Sequence, residues 1–355
     1  MKIIAYYLPQ FHEIEENNRW WGEGFTEWTN IKKAKPLYLN HIQPKIPLGN
    51  NYYNLMDKET VIEQTRLLNE YNIYGLCYYH YYFEGKMLLE KPAENLLRWK
   101  DIKQNFCFCW ANHDWRKTWN GTTELLMKQT YGNEKTWKEH FYYLLPFFKD
   151  ERYIKIENKP IFVIYKIEDI EKSNEMLKTW NEEAKKNGLE GVYIIESIDY
   201  YKKNKFSNMS DALVYREPSI ALSKIRKKSR LDKIKEKFFP KKKELPERID
   251  GNLVWKYILE NNKNNKNNKK IFYGSFSSWD NTPRHNERGF IIENCNPQNF
   301  RKYFTQQVEI MRENKIEYLF FNAWNEWAEG MYLEPDEENK YGYLEVIRDV
   351  LKNKE

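Results

Sequence analysis

The segment Asn322-Ala323-Trp324-Asn325-Glu326-Trp327-Ala328-Glu329-Gly330 sets two carboxylates three residues apart, with a tryptophan between them and another just before. Two carboxyl groups that reach one atom are the minimal equipment for general acid/base work on a glycosidic bond: one protonates the leaving oxygen, the other acts as base or nucleophile. In an extended strand residues i and i+3 point to opposite faces, so both serve one pocket only if the chain turns here. In a helical turn their Cβ atoms stand ~5–6 Å apart, compatible with the ~5–5.5 Å between carboxyls in retaining glycosidases. Burial beside Trp324 and Trp327, with a like charge nearby, raises the pKa of one carboxyl and leaves one donor and one base at neutral pH. A helix N-terminus decorated with acids that suit its dipole is the plain structural alternative.

A second informative stretch opens the chain. Gln10 and His12 follow an apolar run, and Trp20, Trp21, Gly22, Glu23, Gly24, Phe25, Glu27, Trp28 and Asn30 then crowd together with neither a helical nor a strand period. Such a loop suits stacking on sugar rings, for which flat amphipathic side chains are good walls. The whole chain is 17% aromatic, with 13 Trp and 27 Tyr, more than core packing alone asks for. His12, His80, His113, His140 and His285 show no close metal-ligand spacing, and no Gly-rich phosphate loop follows a strand.

The elements that must position these residues alternate short apolar runs with longer amphipathic patterns, the signature of consecutive βα units. Eight strands are expected, at Lys2–Tyr7, Ile73–Tyr79, Asn105–Ala111, Pro160–Tyr165, Gly191–Glu196, Ala212–Tyr215, Ile271–Ser275 and Tyr318–Asn322. Helical periodicity is clearest over Lys58–Tyr71, Glu134–Phe148, Ser173–Asn187, Pro297–Asn314 and Tyr343–Lys352. This pattern predicts an α/β fold, a single (β/α)8 TIM barrel over residues 1–355, with an insertion over 217–270 between the sixth and seventh strands. In such a barrel the site is built from loops after the strands. Polar residues stand there after seven strands: Gln10 and His12; His80; Asn112, His113 and Asp114; Glu196; Arg216 and Glu217; Trp279, Asp280 and Arg284; Asn325, Glu326 and Glu329.

Within the insertion, Lys224-Ile225-Arg226-Lys227-Lys228 and Lys241-Lys242-Lys243 are interleaved with Leu222, Leu231, Ile234, Phe238 and Phe239. A solvated charged helix fits this stretch, and so does a basic amphipathic helix lying on an anionic membrane through residues 222–243. The Asn/Lys run at 261–270 reads as a polar loop. With 58 basic and 52 acidic residues the net charge is only +6, which argues against a nucleic-acid partner. Cys77, Cys107, Cys109 and Cys295 make neither a disulfide ladder nor a zinc pattern. The opening Met1-Lys2-Ile3-Ile4-Ala5-Tyr6-Tyr7 has no signal-peptide pattern, and no apolar stretch reaches the ~18 residues of a membrane span. A cytoplasmic protein is therefore expected, with membrane association through residues 222–243 as the alternative.

Taken together, YYLPQFHEIEENNRWWGEGFTEWTN from Tyr6, GLCYYHYYF from Gly75, FCFCWANHDWRKTWNG from Phe106, YYLLPFFKDERYIKIENKPIFVIY from Tyr142, SWDNTPR from Ser278 and NAWNEWAEGMYLEP from Asn322 resemble the WbsX-like family of bacterial surface-polysaccharide gene clusters. That family is related to the family 99 glycoside hydrolases, which are (β/α)8 endo-acting α-mannosidases and mannanases that retain configuration. The resemblance implies a retaining enzyme for mannoside-like bonds. It implies that Glu326 is the base that deprotonates the sugar 2-hydroxyl and Glu329 the general acid/base. Around the sugar the reading places Gln10, His12, His80, Asn112, Asp114, Asp280 and Asn325, with Trp20, Trp21, Trp28, Trp110, Trp115 and Trp279 as stacking walls. The expected partner is an oligosaccharide or a lipid-linked glycan, with no metal or organic cofactor. Glycosyl transfer in O-antigen or capsule synthesis is favoured, either from a lipid-phosphate or glycan donor, or from a nucleotide-sugar whose phosphates meet scattered basic residues such as Arg116, Arg216 and Arg284. Alternatives are an endo-acting glycoside hydrolase and a non-catalytic glycan-binding barrel.

Overall fold

A computed structural model describes residues 1–117, 124–199, 206–226, 245–263 and 269–352. Its centre is a closed barrel of eight parallel strands: β1 (Lys2–Tyr7), β2 (Ile73–Phe83), β3 (Asn105–Trp110), β4 (Lys159–Ile164), β5 (Tyr193–Ile198), β6 (Ala212–Tyr215), β7 (Lys270–Phe276) and β8 (Tyr318–Asn322). Each strand pairs with its neighbours in order, and closure comes from β1, which pairs with β2 on one side and with β8 on the other. In register, Ile4 faces Gly75 across one ladder and Phe320 across the other. Runs such as Ile161, Phe162, Val163 and Ile164 are 0% exposed, as expected of strands covered on both faces. The (β/α)8 architecture read from the alternating pattern is the architecture observed.

An outer layer is formed by α1 (Lys58–Glu70), α2 (Lys91–Arg98), α3 (Glu134–Lys149), α4 (Ser173–Lys186), α5 (Gly251–Lys263), α6 (Pro297–Glu313) and α7 (Gly342–Lys352). In α6 the Asn296 side chain caps the first turn by accepting from the Asn299 N–H, Pro297 occupies the first helical position, and Phe300, Phe304, Val308 and Met311 bury one face. Each such side chain contributes on the order of 1.5–3 kcal/mol by leaving water.

The stretch 217–270 is not all addition to the barrel. Its second half contains α5, whose Trp255 stacks on Phe276 of β7 at 5.1 Å and on Tyr303 of α6 at 5.8 Å, so it fills the helix position between β6 and β7. Helical spacing of Leu253, Val254, Tyr257 and Ile258 was masked in the sequence by the adjoining Asn/Lys run. Most of the basic amphipathic stretch, residues 227–244, and positions 264–268 of the Asn/Lys run lie outside the described residues. Among the described residues, no helix is long and apolar enough to cross a membrane.

Candidate active site

At the C-terminal end of the barrel lies a cleft with two lobes, of 670 Å³ and 300 Å³. All eight strands contribute to it through residues at or just past their ends, among them Gln10, Tyr79, His113, Tyr165, Asp199, Arg216, Trp279 and Glu326. Tyr79, Tyr165, Arg216, Glu326 and Glu329 line both lobes and mark their junction.

The two glutamates reach that junction because the chain reverses after β8. Asn325–Glu326 pairs antiparallel with Met331–Tyr332, a 3-10 turn over Trp327–Glu329 joins them, and Gly330 closes the turn in the left-handed region at φ 57°. In a 3-10 turn residues three apart eclipse, which brings Glu326 and Glu329 to one side. The buried Asn325 ties the start of the hairpin to the end of β1, accepting from the Leu8 N–H at 2.7 Å and donating to the Leu8 carbonyl at 3.0 Å.

Arg284, from the loop after β7, holds the pair. Its Nη1 donates to Glu329 at 2.6 Å, and its Nη2 reaches Glu27 at 2.8 Å and Glu326 at 3.3 Å. One guanidinium thus serves three carboxylates. Burial and then the charge of Glu329 push the Glu326 carboxyl up to about 8, against the lowering pull of Arg284. At neutral pH the site therefore holds a proton at Glu326, which acid/base chemistry can use.

Behind the hairpin stands a fourth acid. Glu334 accepts from Trp327 Nε1 at 2.7 Å, Tyr53 Oη at 2.8 Å, Gln64 Nε2 at 2.8 Å and Trp324 Nε1 at 2.9 Å. The two tryptophans expected beside the carboxylates thus face the core, and they anchor the turn from below.

Residues 3–347 match the family described as "Glycosyltransferase WbsX". The chain belongs to the WbsX family. It is 28% identical to a protein called WxcX from two strains of Xanthomonas campestris pv. campestris, over 98% of this chain and 49% of WxcX. The chain thus spans about half the length of the curated relatives it matches. Among solved structures, a glycoside hydrolase-like protein shares the fold with a TM-score of 0.63 and 13% identity, over 98% of this chain and 93% of its own. The GH99 endo-alpha-mannosidase from Bacteroides thetaiotaomicron does so with a TM-score of 0.58 and 15% identity, over 98% and 96%.

Of the residues that the sequence placed around a sugar, the WbsX-family barrel brings Gln10, Trp21, Asp114, Trp115, Trp279, Glu326 and Glu329 to the cleft. Others lie elsewhere. His80 is buried against His140, with 2.7 Å between their Nε2 atoms, and burial lowers its pKa to about 3. Trp110 and Trp28 are core residues whose indole N–H groups go to the carbonyls of Tyr82 and Tyr53. Trp20 packs on Trp115 with 5.5 Å between ring centroids and lies outside the cleft lining. Asn112 is fully buried and clamps the backbone N–H and carbonyl of Lys166. His12 is buried outside the cleft lining. Asp280 turns away to His41 and Gln43, at 2.9 and 2.7 Å; their hydrogen bonds and that of Thr282 outweigh burial and hold its carboxyl below the ordinary range.

For His80 the reason is alternation. β2 runs on to Phe83, four residues past its expected end, and Tyr79, Tyr81 and Phe83 line the cleft while His80 and Tyr82 point to the helix layer. Lining residues that had not been placed around a sugar include Glu27, Tyr79, Tyr81, His113, Tyr165, Lys166, Arg216 and Arg284. A strict period-2 count from Tyr79 would have found the tyrosines of β2. No local signal tells that Glu27 meets Arg284 from 257 residues away.

Proposed function

We propose that this chain is a retaining enzyme that acts on mannoside-like glycosidic bonds, with Glu326 and Glu329 as its catalytic carboxylates. It works in the cytoplasm on a bacterial surface polysaccharide, O-antigen or capsule, and transfers the sugar to an acceptor glycan. The single observation that carries the reading is that both carboxylates stand at the junction of a two-lobed cleft, where a chain lying across both lobes presents one bond to them.

In the proposed course Glu326 takes the proton of the sugar 2-hydroxyl, whose oxygen closes on the anomeric carbon to give an epoxide-like intermediate. Glu329 gives its proton to the departing oxygen. The acceptor hydroxyl then loses its proton to Glu329 as its oxygen opens the intermediate, and Glu326 returns its proton to the 2-oxygen. These roles need the shared proton on Glu329, whereas burial favours Glu326 in the free site. A 2-hydroxyl donating to Glu326 stabilises its ionised form and sends the proton across. No step asks for a metal or an organic cofactor.

A labelled oligosaccharide offered with and without acceptor glycan tests this reading. Transfer predicts a larger labelled product that appears only with acceptor. Free sugar released at one rate in both reactions would make the protein an endo-acting hydrolase, the second reading, which the opening of the cleft on both sides of the carboxylates also suits. Peripheral contact with the inner membrane through residues 222–243 belongs to the same proposal, with a lipid-linked glycan as partner. It predicts binding to anionic vesicles that falls as salt rises; binding that ignores salt, or none, would remove it.

A further inference from the structure

The basic residues around the cleft differ in what holds them. Arg284 is shared by three glutamates, Arg116 pairs with Asp114 at 2.7 Å, and Arg226 pairs with Glu247 at 3.1 Å. Arg216, at the junction of the lobes, has no carboxylate within ion-pair distance among the described residues. It is enclosed instead by rings: its guanidinium carbon lies 4.4 Å from the centroid of Tyr165, 5.1 Å from Tyr6 and 5.8 Å from Tyr79. Nη2 donates to Tyr79 Oη at 3.0 Å, and Nη1 is covered and finds no acceptor among the described residues.

We propose that Arg216 binds an anionic group carried by the sugar that sits between Glu326 and Glu329. This rests on the function proposed above and names the class of substrate for it. Burial pushes the hydroxyls of Tyr6, Tyr79 and Tyr165 upward, so these neighbours are neutral and give the guanidinium no counter-ion in contact. A guanidinium that lines the cleft against neutral rings is a cost that an anion in the cleft offsets. The tyrosine faces fix the guanidinium plane, and a planar fork held in place suits the oxygens of a carboxylate or a phosphate. Because Arg216, Glu326 and Glu329 line the same junction, the anion belongs to the reacting sugar or to its leaving group. A uronic acid carboxylate and a glycosyl phosphate both meet that condition.

Calorimetry at fixed ionic strength with mannose 1-phosphate, mannuronic acid and methyl mannoside decides the matter. The wild-type protein should bind at least one anionic probe about tenfold or more tighter than methyl mannoside, as a charge-assisted contact in a partly dry site requires. The phosphate probe leading would point to a glycosyl phosphate, and the carboxylate probe leading to a uronic acid. Arg216→Gln should erase that advantage and leave methyl mannoside binding as it was, while Arg216→Lys keeps part of it. If Arg216→Gln does not fold by circular dichroism, the lysine variant decides: its advantage must be smaller than wild type and fall with salt. Equal binding of charged and neutral probes, no binding of any probe, or an advantage that survives in the glutamine variant would overturn the inference. None of these outcomes bears on the glycosidic reading, which the labelled oligosaccharide tests separately.

Discussion

Trp327 donates its indole N–H to Glu334 at 2.7 Å, so the tryptophan between the two candidate catalytic glutamates points into the core while they face the cleft. Glu334 is the foot on which the turn carrying both glutamates stands. Replacing it with alanine leaves four donors, from Tyr53, Gln64, Trp324 and Trp327, without their acceptor in a buried place. Unfolding in denaturant should show a loss of roughly 2–5 kcal/mol, and turnover should fall with it. An alanine variant as stable as wild type would mean that water or another group accepts those protons.

The proton shared by the glutamates predicts a pH profile. With the Glu326 carboxyl raised to about 8, kcat/KM should fall above that pH as the pair loses its last proton, whichever carboxyl carries it at the moment of reaction. Stability carries the same signature. The unfolded chain releases this proton near pH ~4.5 and the folded chain only near 8, so the folded state grows less stable as pH rises between them, and stays so above. Glu326→Gln should therefore melt higher than wild type at pH 9, and the gap should close towards pH 5. A gap that is constant with pH would contradict a raised carboxyl at this position.

Glu329→Gln should lower kcat by at least about 100-fold while the KM for oligosaccharide changes little, since the amide keeps the shape but moves no proton. Binding and turnover lost in equal measure would show that Glu329 places the substrate rather than reacting with it.

Arg284 is the cation common to Glu27, Glu326 and Glu329. Lysine has no planar fork and cannot serve three carboxylates from one point, so Arg284→Lys should cut kcat by about tenfold or more. Arg284→Met removes the largest influence that lowers the Glu326 carboxyl. Its alkaline limb should move above that of wild type, and an unmoved limb would show that Arg284 does not govern the pair.

The barrel was legible because its strands are buried on both faces. β1, β6 and β8 begin and end where their apolar runs do, and the other five differ from expectation by between one and four residues at an end. The two-carboxylate segment was legible too, as a turn at the end of the last strand. What the sequence hid is the direction of side chains just beyond a strand end, where a single step in register separates Tyr79 in the cleft from His80 behind it. It also hid partners brought in from far along the chain. Arg284 was visible as a polar residue after β7, but its grip on Glu27 depends on closure of the barrel, and Glu334 reads as one more acid in an acidic stretch.

Gly330 meets Asp280 at close range: a Cβ on it would come within 3.0 Å of the backbone N and O of Asp280, at a φ that side chains disfavour. Gly330→Ala should cost roughly 1–3 kcal/mol in denaturant unfolding and impair turnover; a neutral result would show that the loop after β7 yields. That loop is fastened to the hairpin at further points, since Ser278 donates to the Gly330 carbonyl at 2.6 Å and Ser277 to the Tyr332 carbonyl at 2.8 Å. Mechanically, the two loops form one lever rather than two hinged arms. A ligand that displaces Trp279 in the smaller lobe must carry Glu329 with it, so exchange of backbone hydrogens in residues 277–284 and 327–332 should slow or quicken together on binding, and never one without the other.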